Sequence, residues 1–406
     1  MAPKLERFVS PGKGNGLRAT AGIRRGELLV SAEPLACCVS KKLVREVCHH
    51  CFTRRETLLR CSQCKMARYC NTTCQKQAWS VHKRECKCLR SLLPRFPTDS
   101  VRLAARLIFA LVGFWTFSLF CSLKINYLTS MPEQKKQGLS QLASMLELYL
   151  QEEVPNLTQE SEVPPSCREA LSLIAKVVCN CFTITDGELQ ESGVGLYPSL
   201  SLLNHDCRPN CMMVFEGTKV QLRAVQDISP EEEVVLPLLF TQDGLMLSGE
   251  EATWRPLKEA LQRLEELKAD HFSDWKALLE SCSCLLSAAG GEVPDENLHK
   301  LRITDMALDA SIHLQHWEEA MRYGAKTLST YKLYYPDPHP VHGIQLMRVG
   351  KLQHYLEHIE DALDTFKQAY EILKLTHGDD HPMTADLRTR MEECRCEMDH
   401  KSSSRH

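Results

Sequence analysis

Eight residues between positions 48 and 86 constrain this chain more than any other feature. They are Cys48, Cys51, Cys61, Cys64, Cys70, Cys74, His82 and Cys86, spaced C-x2-C-x9-C-x2-C-x5-C-x3-C-x7-H-x3-C. Eight soft or borderline ligands fill two tetrahedral zinc sites with none left over. The two CxxC pairs have knuckle spacing. Cys70 and Cys74, like His82 and Cys86, lie one helical turn apart on a single face. The ligands can be divided between two ions in sequence order or in an interleaved way, and spacing leaves both open. A segment of about forty residues cannot build a core of its own, so the metal supplies its folding energy. Residues 41–90 also hold thirteen Lys or Arg against three Glu. That bias suits either nucleic-acid phosphates or a solvated zinc module.

The rest of the composition fits a metal reading. The 406 residues include 20 cysteines, yet Met1–Arg7 lacks the apolar core of a signal peptide. Clustered CxxC pairs outside the secretory route mean metal, in a reducing compartment: nucleus, cytoplasm or both. Hydrophobic content of 43% and charged content of 25% are those of a soluble globular protein with two or three domains. A net charge of -3 gives no global pull toward nucleic acid, so DNA would need a local patch. One stretch is unusual. Leu107–Leu123 is uncharged for 17 residues between Arg106 and Lys124, the lower limit for a membrane span. We expect a buried helix running into an apolar loop, and no membrane partner.

Along the chain, Gly12-Lys13-Gly14-Asn15-Gly16 is a tight turn whose glycines allow close backbone approach to a ligand. Gly26–Val30 reads as a strand. Leu139–Leu150 and Ser166–Ile184 have helical apolar spacing. Gly193–Cys211 is an apolar run with prolines that ends in Asn204-His205-Asp206-Cys207, followed by a turn and a β-type run to Phe215. Side by side, Asn204 and His205 offer amide and imidazole groups suited to gripping a polar cofactor. Val220–Ile228 alternates as a strand. From Ala252 onward the pattern is helical, with an internal repeat. His316-Trp317-Glu318-Glu319-Ala320 recurs as His358-Ile359-Glu360-Asp361-Ala362, and Asp337-Pro338-His339-Pro340 as Asp379-Asp380-His381-Pro382, both 42 residues later. Two markers at one period indicate paired helices of a tetratricopeptide-like solenoid.

The GxG turn, the Asn204–Cys207 motif and the cysteine-rich segment together resemble the split SET and MYND arrangement of the SMYD protein-lysine methyltransferases. The resemblance implies an α+β fold. Its parts would be an N-terminal SET portion (1–47), a MYND zinc finger (48–86), a helical insertion (87–179), the SET core (180–240), a helical tetratricopeptide-like domain (250–398) and a disordered tail (399–406). It implies interleaved zinc sites, with Cys48, Cys51, Cys70 and Cys74 on one ion and Cys61, Cys64, His82 and Cys86 on the other. It also implies S-adenosylmethionine contacts at Lys13, Gly14, Asn15, Asn126, Asn180, Asn204 and His205, and a lysine channel walled by Phe182 and Tyr197. The partners implied are histone tails and other lysine-containing proteins, proline-containing peptides on the finger and, second to these, DNA. The chain is expected to be a monomer.

Two departures stand out. After Glu233 the family carries a strand with a catalytic tyrosine and then a CxCxxC cluster that completes a third zinc site with the motif cysteine. Here Val234-Val235-Leu236-Pro237-Leu238-Leu239-Phe240 follows, with no tyrosine between Tyr197 and Tyr323 and no cysteine between Cys211 and Cys282. Cys282-Ser283-Cys284 lies in a helical pattern and is a decoy. The expectation is therefore two zinc ions, with Cys207 left as a spare thiol and no catalytic residue identifiable. The second departure is the apolar stretch, which falls where the family has a cofactor-touching loop. Two functions follow: a methyltransferase of impaired activity, or a non-catalytic zinc-finger and helical-repeat scaffold that recruits partners in transcription.

Overall fold

The computed structural model describes residues 4–113, 131–155, 157–159, 167–237, 251–269, 274–335 and 337–403. The chain opens with four strands, β1 (Leu5–Ser10), β2 (Gly14–Ala19), β3 (Leu28–Ala32) and β4 (Ala36–Val39). β1 and β2 form an antiparallel hairpin with Ser10 opposite Gly14. At that turn Gly12 and Gly14 have φ of 72° and 79°, a region that disfavours any side chain. β3 and β4 instead pair with strands far along the chain, so this half of the N-terminal portion joins a sheet only when distant segments return to it.

The insertion follows. β5 (Leu59–Arg60) and β6 (Arg68–Tyr69) make a small ribbon, and α1 (Thr72–Ser91) is capped by Asn71, whose side chain accepts from Cys74 N over 2.9 Å. Among the described residues the next helices are α2 (Asp99–Gly113), α3 (Glu133–Leu150) and α4 (Ala170–Asn180). Leu103, Leu107, Ile108, Leu146, Tyr149 and Ile174 bury a core that also contains Cys61, Tyr69 and Cys86. The finger therefore packs into the helical insertion and does not hang from it.

Sequence spacing carries the fourth helix on to Ile184, but the chain becomes strand at Cys181. Phe182-Thr183-Ile184-Thr185 is aromatic and β-branched, and it forms β7 (Cys181–Thr185) against β8 (Glu191–Leu196). Next come β9 (Asn204–Asp206), β10 (Cys211–Glu216), β11 (Lys219–Ala224) and β12 (Val235–Pro237). β4 pairs with β8, giving the sheet β4-β8-β7, and β3 pairs with β11, giving β10-β11-β3. β9 and β12 are parallel, with Asn204 opposite Val235 and Pro237 opposite Asp206. Just before β12 the same segment is zipped to β2: Val234 N donates to Leu17 O over 2.8 Å and Ala19 N to Glu232 O over 2.9 Å. Residues 231–237 thus run past β2 and then along β9.

Among the described residues seven helices follow: α5 (Glu251–Ala269), α6 (Trp275–Ala289), α7 (Leu298–His313), α8 (Trp317–Tyr334), α9 (Pro340–Tyr355), α10 (Ile359–Thr376) and α11 (Pro382–Ser403). The 42-residue markers fall on helix starts, at α8 and α10 for one and at α9 and α11 for the other. Gln315 and Glu357, just before His316 and His358, share left-handed φ of 61° and 63°. The repeat is thus a repeat of backbone geometry. Residues 399–403, expected in a disordered tail, instead continue α11, because nothing in Asp399-His400-Lys401 breaks a helix. The turn between α10 and α11 docks on the β10-β11-β3 sheet, where Arg223 Nε donates to His377 O over 3.2 Å.

Candidate functional site

The finger resolves the choice of ligand partition. Its ligand atoms gather into two groups, Cys48, Cys51, Cys70, Cys74 and Cys61, Cys64, His82, Cys86, each with all four atoms within 4.8 Å of one another. The ribbon and the start of α1 bring the second and fourth pairs back across the first and third, so the sites interleave. Cys51 Sγ and Cys70 Sγ are 3.6 Å apart, Cys61 Sγ and Cys86 Sγ 3.8 Å, and Cys64 Sγ and His82 Nε2 3.6 Å. A tetrahedron with Zn–S near 2.3 Å has edges of about 3.8 Å, so donor type and spacing both fit zinc. The Cys61 group is fully buried, whereas three of the four ligands in the Cys48 group are half-exposed.

Behind the buried group lies a layer that sequence reasoning missed. His82 Nδ1 is 3.3 Å from Glu85 Oε2. The same carboxylate takes Arg102 Nε at 3.1 Å and Arg106 Nη2 at 2.6 Å, and Glu85 and Arg102 are both 0% exposed. Burial would raise the Glu85 carboxyl, but Arg106 and Arg102 hold it well below the usual carboxylate range. Along the sequence Arg106 reads only as the residue flanking an apolar run. In the structure it is buried, because α2 lays Arg102 and Arg106 on one face toward the finger. The signal available in the sequence was two arginines at i, i+4 in an otherwise apolar helix.

A second constellation forms where β2, β9 and β12 meet. Asn204 is buried, and its Nδ2 donates to Glu233 Oε1 over 2.7 Å and to Asn15 O over 3.3 Å. Ser10 Oγ donates to Glu233 Oε2 over 2.9 Å. A Cβ on Gly16 would stand 2.7 Å from Glu233 Oε1 and 2.9 Å from Asn204 Nδ2, so only glycine fits there. Lys13 Nζ reaches His205 O at 3.3 Å and Asp206 Oδ2 at 3.4 Å, tying the glycine turn to β9. His205 is exposed, with Nδ1 3.2 Å from Pro237 O. Asn210, also buried, holds the crossing: its Nδ2 donates to Glu233 O over 2.8 Å and its Oδ1 accepts from Val235 N over 2.9 Å. Of the sequence candidates, the structure therefore brings Lys13, Gly14, Asn15, Asn204 and His205 together. It adds Ser10, Asn210 and Glu233, none of which the sequence singled out as a site residue.

Asn180 and Phe182 sit at the junction of α4 and β7, where Asn180 Nδ2 donates to Lys176 O over 2.8 Å. Half-buried Phe182 meets Tyr197 edge-on, with ring centroids 6.0 Å apart. Tyr197 is 0% exposed and its hydroxyl donates to Thr218 O. It therefore stands behind Phe182 with its polar end committed to the backbone, and between the two only Phe182 presents surface. Leu17, Tyr197, Leu203 and Phe215 share one core on which Phe182 packs, joining this corner to the glycine turn. Asn126, residues 114–123 of the apolar stretch and Leu238–Asp243 lie outside the described residues. Cys207 is exposed and belongs to neither ligand group, while Cys282 and Cys284 lie on α6.

Comparison with known proteins follows the same lines. The model of the MYND finger family matches residues 48–86. A human protein named histone-lysine N-methyltransferase SMYD3 is 41% identical over 424 residues, covering 96% of this chain and 97% of that protein. The chain belongs to the SMYD family. Human N-lysine methyltransferase SMYD2 is 30% identical over 437 residues, at 96% and 98% coverage. A solved SET domain of LSMT bound to lysine and AdoHcy covers 98% of the chain at 12% identity, with a TM-score of 0.29, too slight a likeness to bear on the fold. As a SMYD protein the chain carries the two elements for which the family is built, a SET-type strand core and an inserted zinc finger. By family it is a protein-lysine methyltransferase. No helix among the described residues is long and apolar enough to cross a membrane.

Proposed function

We propose that this SMYD chain binds S-adenosylmethionine at the meeting point of β2, β9 and β12, and that it transfers methyl groups to protein lysines more slowly than a SET domain with a tyrosine after β12. One observation carries the reading. The Asn204–Glu233 pair, roofed by Gly16, holds the exposed glycine turn and β9 in one fixed arrangement. The position of a Cβ on Gly14 has nothing within 4 Å, so the backbone there is open to a ligand. Lys13, Gly14, Asn15, Asn204 and His205 would hold the cofactor, which supplies an electrophilic methyl group on a sulfonium. The protein's part is positional: it must desolvate the lysine amine and aim it in line, and Phe182 offers an apolar wall for that.

The substrates we propose are histone tails and other lysine-bearing proteins, with the finger docking proline-containing peptides and two zinc ions per chain. The alternative, a scaffold without catalysis, rests on the chain after Glu233. β12 closes on Leu236-Pro237, and the sequence then reads Leu238-Leu239-Phe240, where the family has the tyrosine that would orient the amine. Losing one positioned group typically costs about 100-fold to 1000-fold in rate. Calorimetric titration with S-adenosylmethionine, followed by radiolabelled methyl transfer to histones, separates the two. Binding with slow transfer supports the proposal. Absence of both leaves the scaffold, and transfer as fast as that of the human relatives refutes the role given to the missing tyrosine.

A further inference from the structure

The two metal sites of the finger differ in what lies behind them. The Cys48 group is the more exposed, and its knuckle rests on the strand core by packing, with Phe52 Cε1 2.6 Å from where a Cβ on Gly193 would stand. The Cys61 group backs onto Glu85, and Glu85 onto two arginines that belong to α2 and not to the finger. Those arginines continue inward. Arg102 Nη1 donates to Val39 O over 2.8 Å and Arg106 Nη1 to Cys37 O over 2.6 Å, both carbonyls of β4. The N-terminus of α2 grips the same strand end, with Asp99 accepting from Lys41 N over 2.7 Å and from Ser40 Oγ over 3.1 Å. In the sheet, Cys37 is opposite Gly195, and Gly195 is opposite Phe182. An unbroken chain of contacts therefore runs from a zinc ligand through one carboxylate, one guanidinium and two strands to the residue that walls the candidate lysine channel.

The charges close as well. A zinc ion held by three thiolates and a neutral imidazole carries one net negative charge. Glu85 adds a second, and Arg102 and Arg106 balance both, so the buried assembly is neutral with the ion in place. Burying a charge without its counter-charge is costly, so each member depends on the others. We infer that the Cys61–Cys64–His82–Cys86 ion is a structural keystone of the SET sheet, held by Glu85 as the positioning residue for His82. The inference rests on zinc at the two sites and does not require that the chain be catalytic.

The test uses the full-length zinc-loaded protein. Zinc release to a colorimetric chelator is followed alongside amide hydrogen exchange of residues 36–39 and 102–107. In the wild type one ion should leave quickly and the second slowly, the second together with loss of protection in both segments. Glu85→Gln should leave the first phase unchanged, speed the second by at least about tenfold and lower protection in β4. Arg106→Gln should do the same. The double variant Glu85→Gln/Arg106→Gln, neutral once more, should recover most of the retention. An unchanged second phase in Glu85→Gln, or faster release with β4 protection intact, overturns the coupling. A double variant no better than its parents overturns the charge balance. Should Glu85→Gln not accumulate as folded protein, the double variant decides: recovery of folding and of slow release supports the keystone role, and failure of both overturns it.

Discussion

The side-chain amide of Asn204 donates to the carboxylate of Glu233 over 2.7 Å, joining the motif strand β9 to the segment that enters β12. Glu233 also takes Ser10 Oγ, so one carboxylate orders three stretches of chain that are remote in sequence. Glu233→Gln keeps the shape but turns one acceptor oxygen into a donor that faces either Asn204 Nδ2 or Ser10 Oγ. We expect S-adenosylmethionine affinity to fall by about tenfold, or ~1.4 kcal/mol, in line with the loss of a hydrogen bond to a charged group. Calorimetry measures it. Unchanged affinity in a variant that melts like the wild type would remove Glu233 from the site.

Gly16 and Gly22 make a matched pair in the same region. A Cβ at Gly16 meets Glu233, Asn204 and Phe8 at 2.9 Å or less, whereas Gly22 has nothing within 4 Å. Gly16→Ala should cost about 1–3 kcal/mol of stability by overpacking. Gly22→Ala should change stability by less than about 0.5 kcal/mol, like an ordinary surface substitution. Denaturant midpoints at fixed pH check both, and equal effects would contradict the packing described.

The interleaved ligand partition is open to a count of zinc. Cys51 and Cys70 belong to one group, with sulfurs 3.6 Å apart. The double variant Cys51→Ser/Cys70→Ser should therefore keep one ion per chain, measured by mass spectrometry of the metal. A sequential partition would place those two ligands on different ions and lose both.

The seam between the helical repeats and the SET sheet should be sensitive to acid. His377 and His381 are both buried there, with ring centroids 4.6 Å apart, beside Arg223 and facing Glu216. Burial, the neighbouring His381 and Arg223 depress His377 to about 3, and burial depresses His381 too. A histidine whose folded value lies below its unfolded value of ~6.5 stabilises the fold above that pH, and the contribution is lost as pH falls toward the folded value. Between pH 6.5 and pH 4 the wild type should lose up to about 1.4 kcal/mol per pH unit through His377. His377→Asn should melt with a shallower pH dependence over that range. Identical slopes would exclude His377 as a source.

Local chemistry made much of this protein legible. The count and type of ligands point to two metal sites, the 42-residue markers to paired helices, and β-type runs to β10 and β11. Spacing alone could not partition the ligands, because sequential and interleaved arrangements use the same intervals. Nor could it end α4 at Asn180, where the pairing of β7 with β8 overrides helical periodicity.

What the sequence determined by itself is what short-range forces decide: soft ligands for zinc, glycines at a tight turn, apolar periods for helices. Tertiary structure alone decided which distant polar groups share a burial site. Glu85 lies in a basic segment and Arg106 at the edge of an apolar one, and each looks solvated when read along the chain. They are buried together because α2 packs against both the finger and β4, and a charge removed from water must find its partner there. Glu233 likewise reads as a turn residue until β12 lies beside β9 and places it on Asn204. Both pairings join residues on different elements, 21 and 29 positions apart, so each exists only where those two elements pack together.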